Sequence, residues 1–348
     1  MNAIAFLCML KEHYVVGLCI AAYTHKCFIK KYDLNIKLVV MCDRNIYEKY
    51  NDILKLYFDV IKKIKLTEYP LSDKFIFPKE KYGSWVSFCT NKWKMLKYTE
   101  YDKILFLDID ILPASYKFYD IFKLHTPAIL RCWELPHIEH KCDEISTINP
   151  GESFNDYVIN NKKVGSLNAS ICLLTPSKKL YKKYKKVTKE NFTNGIYSFK
   201  ESFPDETSLF YTLTSTNKHI YNICKEYCVV FWDEKTEEKK KILSYNFASN
   251  VKPWIKGRTM CWDEELLWHD LYCKLPYSKI LDDLYNASII DNFHNGFLKL
   301  DPIKQKKWYY IDKIEIDKIT DTNINLKNNI TNNKNYGMLK TDELNSFL

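Results

Sequence analysis

An α/β protein built on a mostly parallel sheet, with helices on both faces, is the architecture this chain predicts. Three observations carry that expectation. Short apolar runs occur at residues 3–10, 36–42 (IKLVVMC) and 104–107 (ILFL). Runs without polar alternation suit strands buried on both faces. Segments with apolar residues at helical spacing, 14–23 and 47–58, follow the first two runs. Strand–helix alternation of this kind is the pattern of a parallel, doubly wound sheet. The third run ends in Asp108, Ile109 and Asp110 before Pro113 closes the segment YDKILFLDIDILP. Ionised carboxylates are costly in a core, and ligand sites of open α/β sheets lie beyond the carboxyl ends of strands. Two carboxylates at this spacing can share one hard divalent cation. A solvated strand-to-loop turn also explains D-x-D taken alone.

With 348 residues the chain can bury a large core, as one big domain or two smaller ones. The hydrophobic share of 46% and charged share of 27% are those of an ordinary soluble globular protein. The net charge of +9 sits largely in lysine clusters, KKLYKKYKKVTK at 178–189 and KKK at 239–241. Solvated helix faces are the expectation for these. No zinc finger, RNA-recognition signature or basic arm accompanies them, so no nucleic-acid partner is expected. The charge is compatible with a modest attraction to phosphorylated substrates. The scattered cysteines form no C-x-x-C pair, which predicts reduced thiols and a cytoplasmic location. No run approaches the ~18 apolar residues of a membrane span. The N-terminal MNAIAFLCML lacks a basic region and reads as a first strand.

Further along, 61–66 suggests a short third strand, and 70–83 a loop. Residues 84–98 look helical, with Trp85, Phe88, Trp93 and Leu96 available for one face. Lys92 falls inside that helix, where a lysine usually reaches for water. A turn of helix at 116–122 and a strand at 128–132 follow. The irregular segment 137–151 holds His137, His140 and Cys142 at a spacing that fits no standard zinc pattern. It is expected to face substrate. In GSLNASICLLTP, Asn168, Ala169 and Ser170 precede a buried strand at 171–174, and such small residues permit close ligand approach or a turn. A basic amphipathic helix is expected at 180–187. Pro204-Asp205-Glu206 opens the helix of FPDETSLFYTL with acidic residues in its first turn. Segments 219–224 and 241–247 bracket a charged loop at 233–240. A Trp-rich amphipathic helix is expected at 261–275, and the stretch 254–268 reads as core or as a dimer face. From about residue 311 the Asn/Lys-rich sequence predicts a disordered tail. The expected organisation is one domain over 1–310 and a tail over 311–348.

The order of these pieces resembles the family 8 retaining glycosyltransferases, the glycogenin and galactinol synthase group, through most of residues 1–275. The likeness is carried by Asn91-Lys92-Trp93, LFLDIDIL, LNASICLLTPS, PDETSLFYTL and Lys252-Pro253-Trp254. YGSWVSFCTNKW looks more like the glycogenin-like proteins of insect large-DNA viruses. The resemblance implies a GT-A fold: a Rossmann-like domain that binds a nucleotide-sugar and a divalent metal, Mn²⁺ or Mg²⁺. It implies a retaining hexosyltransferase that moves glucose or galactose from UDP-glucose or UDP-galactose to a protein, glycan or small polyol, possible as a homodimer. A catalytically silent UDP-sugar-binding protein is the alternative.

By the same resemblance, Asp108, Asp110 and Asn246 are the expected metal ligands. Lys252 matches the lysine on the diphosphate, and Lys92 one near the donor sugar and phosphate. Asn168 and Ser170 match residues on the sugar hydroxyls. Asp205 and Glu206 stand at the reacting sugar, and Tyr14 near the uracil. Leu10 and Ile109 complete the expected nucleotide-sugar contacts. Three departures stand out. Asn246 occupies the place of a metal-binding His, and an amide oxygen is a harder donor than imidazole. Glu206 replaces Gln. Met9-Leu10-Lys11 replaces a Thr-Thr-Asn at the uracil edge. Tyr227 is offset from the place of a self-glucosylated tyrosine, so a self-priming role is not expected.

Overall fold

The computed structural model describes residues 1–69, 83–131, 167–194, 203–216, 219–230, 242–248, 252–256, 263–276 and 278–294. The loops expected at 137–151 and 233–240, all but the last residue of the loop at 70–83, and the tail from 311 lie outside them. Ten strands occur among the described residues: β1 Asn2–Cys8, β2 Ile36–Cys42, β3 Val60–Lys63, β4 Ile104–Leu107, β5 Ile111–Pro113, β6 Ala128–Arg131, β7 Leu167–Leu174, β8 Tyr221–Ile223, β9 Val229–Val230 and β10 Ser244–Asn246. The α-helices are α1 Tyr14–Lys31, α2 Arg44–Tyr57, α3 Lys178–Asn194, α4 Pro204–Thr214, α5 Pro253–Lys256, α6 Asp263–Cys273 and α7 Lys279–His294. The chain divides into two units. One contains residues 1–10, 35–108 and 117–228, the other 11–34, 109–116 and 229–348.

The first unit is organised by a seven-stranded sheet in the order β3-β2-β1-β4-β7-β6-β8. β1 runs parallel to β2 and β4, and β2 to β3. β7 is antiparallel to both its neighbours, β4 and β6, while β8 is parallel to β6. The mostly parallel sheet expected from the apolar runs is therefore present, with one reversed strand. Ala3, Ala5, Val39, Met41, Ile104 and Phe106 alternate along β1, β2 and β4 and share one buried cluster with Trp93, Leu96 and Leu209. Period-two spacing puts such residues on one face.

The segment expected to be an α-helix at 84–98 is wound as a 3-10 helix over Gly83–Lys97. Its buried residues explain the tighter pitch. Val86, Cys89 and Met95, with Lys92 among them, recur every three residues, and Thr90, Trp93 and Leu96 form a second such row. Three residues per turn aligns each row along one face. The third row turns polar at Asn91 and Lys94, and the chain after β3 takes up these two. Asn91 Oδ1 accepts from Thr67 N (2.9 Å), and its Nδ2 donates to Thr67 O (2.8 Å).

β7 begins earlier than expected, so Asn168–Ser170 lie inside the strand and not before it. Its pairing with β6 slips from Ile129↔Cys172 to Leu130↔Asn168. Residues 169–171 thus form a bulge, and Asn168 Oδ1 supplies a local acceptor for Ser170 N at 2.7 Å. Bulges re-aim side chains and are common beside functional sites.

The second unit holds a small sheet, β5-β10-β9, with β5 antiparallel and β9 parallel to β10. α1 is eight residues longer than expected, because Cys27 and Phe28 continue its buried face. It ends in a left-handed turn at Asp33 (φ 48°), with Leu34 N donating to Ile29 O at 2.9 Å, the wider bond of a Schellman closure. Trp254 and Trp268 are fully buried, ring centroids 5.4 Å apart. A Cβ on Gly17 would come within 2.7 Å of the Trp254 ring, so only glycine lets α1 approach it. Trp254 and Trp268 are core residues of this unit. No helix among the described residues is long and apolar enough to cross a membrane.

Candidate active site

In the first unit the strand order reverses between β1 and β4, where the chain steps from β3-β2-β1 to β4. That is the switch point at which open α/β sheets bind ligands. Three residues lie at this carboxyl end of the sheet. Leu10 follows β1, Asp43 follows β2 and Asp108 follows β4. Leu10 is exposed and has φ 69°, a costly conformation for a side chain with a branched γ-carbon. Asp43 holds it. Asp43 Oδ2 accepts from Leu10 N at 2.7 Å, while Oδ1 caps α2 by accepting from Ile46 N at 2.9 Å. The sequence reading ended the second apolar run at residue 42 and did not single out Asp43. The available signal was an acidic residue standing immediately before a helix.

The most concentrated charge is one lysine between two carboxylates. Lys92 Nζ lies 3.1 Å from Asp108 Oδ1 and 3.0 Å from Asp205 Oδ2. Lys92 is 7% exposed and Asp205 1%. Lys92 does not reach for water, as a lysine on a helix usually does. It turns inward because two carboxylates converge on it from elements distant in sequence. Burial pulls the Lys92 ammonium down, but the carboxylates of Asp108, Asp205 and Glu206 outweigh that and hold it well above the ordinary lysine value. Asp205 Oδ1 is buried and has no hydrogen-bond partner among the described residues. Its backbone oxygen accepts from Trp93 Nε1 at 3.0 Å, which fixes the start of α4 against the 3-10 helix.

Glu206, next in the chain, is committed to the backbone. Oε1 accepts from Ala169 N at 2.9 Å and Oε2 from Phe203 N at 3.1 Å. The second bond is half of a capping box. The first ties α4 to the bulge of β7. Asp108 N in turn donates to Ser170 O at 2.8 Å. Asp108, Asn168, Ser170, Asp205 and Glu206 are thus linked through β7 and α4, with Lys92 at the centre of charge.

In the second unit, Asp110 and Lys252 form an ion pair. Lys252 Nζ also donates to Phe247 O at 3.3 Å, and Phe247 N donates to Asp110 O at 2.9 Å. Asn246 is buried on β10, in register with Ile111 of β5. Tyr14, at the start of α1, meets Trp254 edge-on with ring centroids 5.7 Å apart. Ile109 is buried.

Asp110 and Asn246, both in the second unit, offer oxygen donors only, the kind that Mg²⁺ and Mn²⁺ accept. One Asp110 oxygen, Oδ1, is buried and has no hydrogen-bond partner among the described residues, a costly state unless something positive occupies it. Among the described residues, no three His, Cys, Asp or Glu side chains cluster as a metal site. The amide of Asn246 falls outside that residue set. The donors fit a hard cation.

The fold is that of the GT-A glycosyltransferases, a mixed α/β architecture about a mostly parallel sheet. The galactosyltransferase LgtC, solved with donor and acceptor sugar analogues, superposes with a TM-score of 0.50 at 15% identity, over 82% of this chain and 100% of LgtC. An active-site mutant of LgtC gives a TM-score of 0.50 at 16% identity, covering 80% and 97% of the two chains. In sequence, the chain is 29% identical over 296 residues to an uncharacterised protein of Acanthamoeba polyphaga mimivirus, covering 79% of this chain and 93% of that protein. No protein-family model matches.

Proposed function

We propose that the chain is a divalent-metal-dependent, retaining hexosyltransferase that takes glucose or galactose from a UDP-sugar. The observation that best supports this is Lys92, buried between Asp108 and Asp205 at the switch point of the sheet. A cation held there at neutral pH suits a donor whose charge lies on a diphosphate and whose sugar carries hydroxyls. Asp108 and Asp110, two residues apart in the chain, and Asn246 would hold the metal, Mn²⁺ or Mg²⁺. The bound metal would offset the negative charge that grows on the departing UDP.

The chain's own residues have separate tasks in this reading. Lys252 exchanges Asp110 for a diphosphate oxygen and adds a point charge. Lys92 orients the donor while restraining Asp108 and Asp205. Asp205 offers its bare Oδ1 to the donor sugar. Asn168 and Ser170, on the bulge, accept and donate to sugar hydroxyls. Glu206 keeps that bulge seated on α4 through Ala169 N. Tyr14, Leu10 and Ile109 form the nucleotide contacts. The acceptor is a protein, glycan or small polyol. Residues 1–310 serve as one catalytic domain, with 311–348 as a tail.

Calorimetric titration with UDP tests the reading at the binding step. We expect UDP to bind at least about tenfold more tightly with Mn²⁺ than without it, a difference of about 1.4 kcal/mol. Equal affinity with and without metal, or no binding at all, would remove the metal-bridged diphosphate from the account. Asn246 favours a second reading, a UDP-sugar-binding protein without turnover, because an amide is a weaker donor than the imidazole expected there. Binding without product release would select it.

A further inference from the structure

One cationic cluster of the first unit has no part in the donor chemistry above. Lys94 of the 3-10 helix is buried, and its ammonium donates to Lys65 O and, at 3.0 Å, to Thr67 Oγ1. An ammonium has three protons, so one remains. One turn further on, Lys97 Nζ sits 5.4 Å from the ring centroid of Tyr181. Lys185 Nζ, from α3, sits 5.2 Å from the same ring. Burial first, then repulsion from Lys97, Lys185 and Lys65, lowers the Lys94 ammonium to about 8.

Among the described residues, no carboxylate pairs with any of these four lysines. Some other lysines do have such partners. Lys37, Lys62, Lys63 and Lys186 of the same unit pair with Asp59, Glu100, Glu48 and Glu190. Like charges gathered without a counter-ion are unfavourable. A partly desolvated cation gains more from a matched anion than one in water.

We propose that Lys97 and Lys185, which share the ring of Tyr181, together with Lys94 and the adjoining Lys65, form a binding site for the phosphate groups of a small polyanion. The tyrosine face holds Lys97 and Lys185 by cation–π attraction, which reduces the ordering cost when an anion arrives. The third proton of Lys94 supplies a fixed donor at the base of the site. Two ammonium groups on one ring, with Lys94 one helical turn away from Lys97, match a compact polyphosphate better than the extended backbone of a nucleic acid, which needs a stripe.

Calorimetry of the full chain with tripolyphosphate, at low salt and without divalent metal, tests this. The double variant Lys97→Gln/Lys185→Gln is expected to bind about tenfold or more weakly, the loss of roughly 1.4 kcal/mol. Lys252→Gln, which belongs to the proposed donor site, should weaken this binding less than the double variant does. Both substituted positions of the double variant are exposed, and its melting temperature without ligand should be unchanged or higher. Equal binding by wild type and double variant would overturn the site. So would a loss seen only in Lys252→Gln, which would assign the anion to the donor site. A single-stranded oligonucleotide that binds more tightly than tripolyphosphate, and loses affinity in the double variant, would replace the small-anion site with a nucleic-acid surface.

Discussion

Exchanging Lys92 for Met is expected to destabilise the protein by about 3–5 kcal/mol, the cost of breaking a buried ion pair from one side. Asp205 is 1% exposed, so water cannot replace the missing ammonium. Asp108, on the other side of Lys92, is partly exposed and contributes less. The methionine chain preserves the packing of the lysine stem, which isolates the charge. Urea-induced unfolding measures the loss. Adding Asp205→Asn to Lys92→Met removes the stranded carboxylate and should return most of the stability, a coupling that a double-mutant cycle reads directly. A loss below about 1 kcal/mol for Lys92→Met would mean that the lysine is not holding these carboxylates.

The pH dependence has a definite sign. The folded ammonium of Lys92 is held well above its ordinary value, chiefly against burial and by Asp108, Asp205 and Glu206. Its contribution is therefore complete below the unfolded lysine value, about 10.4. It is lost as pH rises through the higher folded value. Between pH 7 and 9 this group should add no slope to stability.

Replacing Asp110 by Asn is expected to lower UDP release from a UDP-sugar by a factor of about 10² to 10³, the scale for losing one preorganised electrostatic partner of a leaving group. Folding should survive. The bond from Phe247 N to Asp110 O uses the backbone, and the side-chain shape is kept. Lys252 is left with its bond to Phe247 O and can extend into water. The measurement is the initial rate of UDP release with Mn²⁺, set beside the unfolding midpoint. Loss of activity with an unchanged midpoint assigns Asp110 to chemistry. An unchanged rate would exclude it from the metal site.

Particular residues explain how much of this was legible. β2 could be read to the residue, because IKLVVMC is apolar but for Lys37. The start of α4 was equally plain in Pro204-Asp205-Glu206. β5 and β10 were harder to place, since three-residue strands carry too few positions for a period to show. The 3-10 winding of Gly83–Lys97 was invisible because α and 3-10 helices both bring residues i and i+3 together. Of the site, the candidate residues were named by resemblance, but their partners were not. The inward turn of Lys92 depends on Asp108 and Asp205, which only tertiary structure brings to it. Glu206 likewise looked like a residue beside the reacting sugar, whereas both its oxygens accept from backbone amides.

The most direct measurement of the central claim is a donor screen with purified protein and Mn²⁺, read as UDP release, with mass spectrometry of any product. The account predicts slow hydrolysis of UDP-glucose or UDP-galactose without an acceptor, dependence on the metal, and loss of the signal in Asp110→Asn. Absence of turnover with every nucleotide-sugar and metal combination would contradict it.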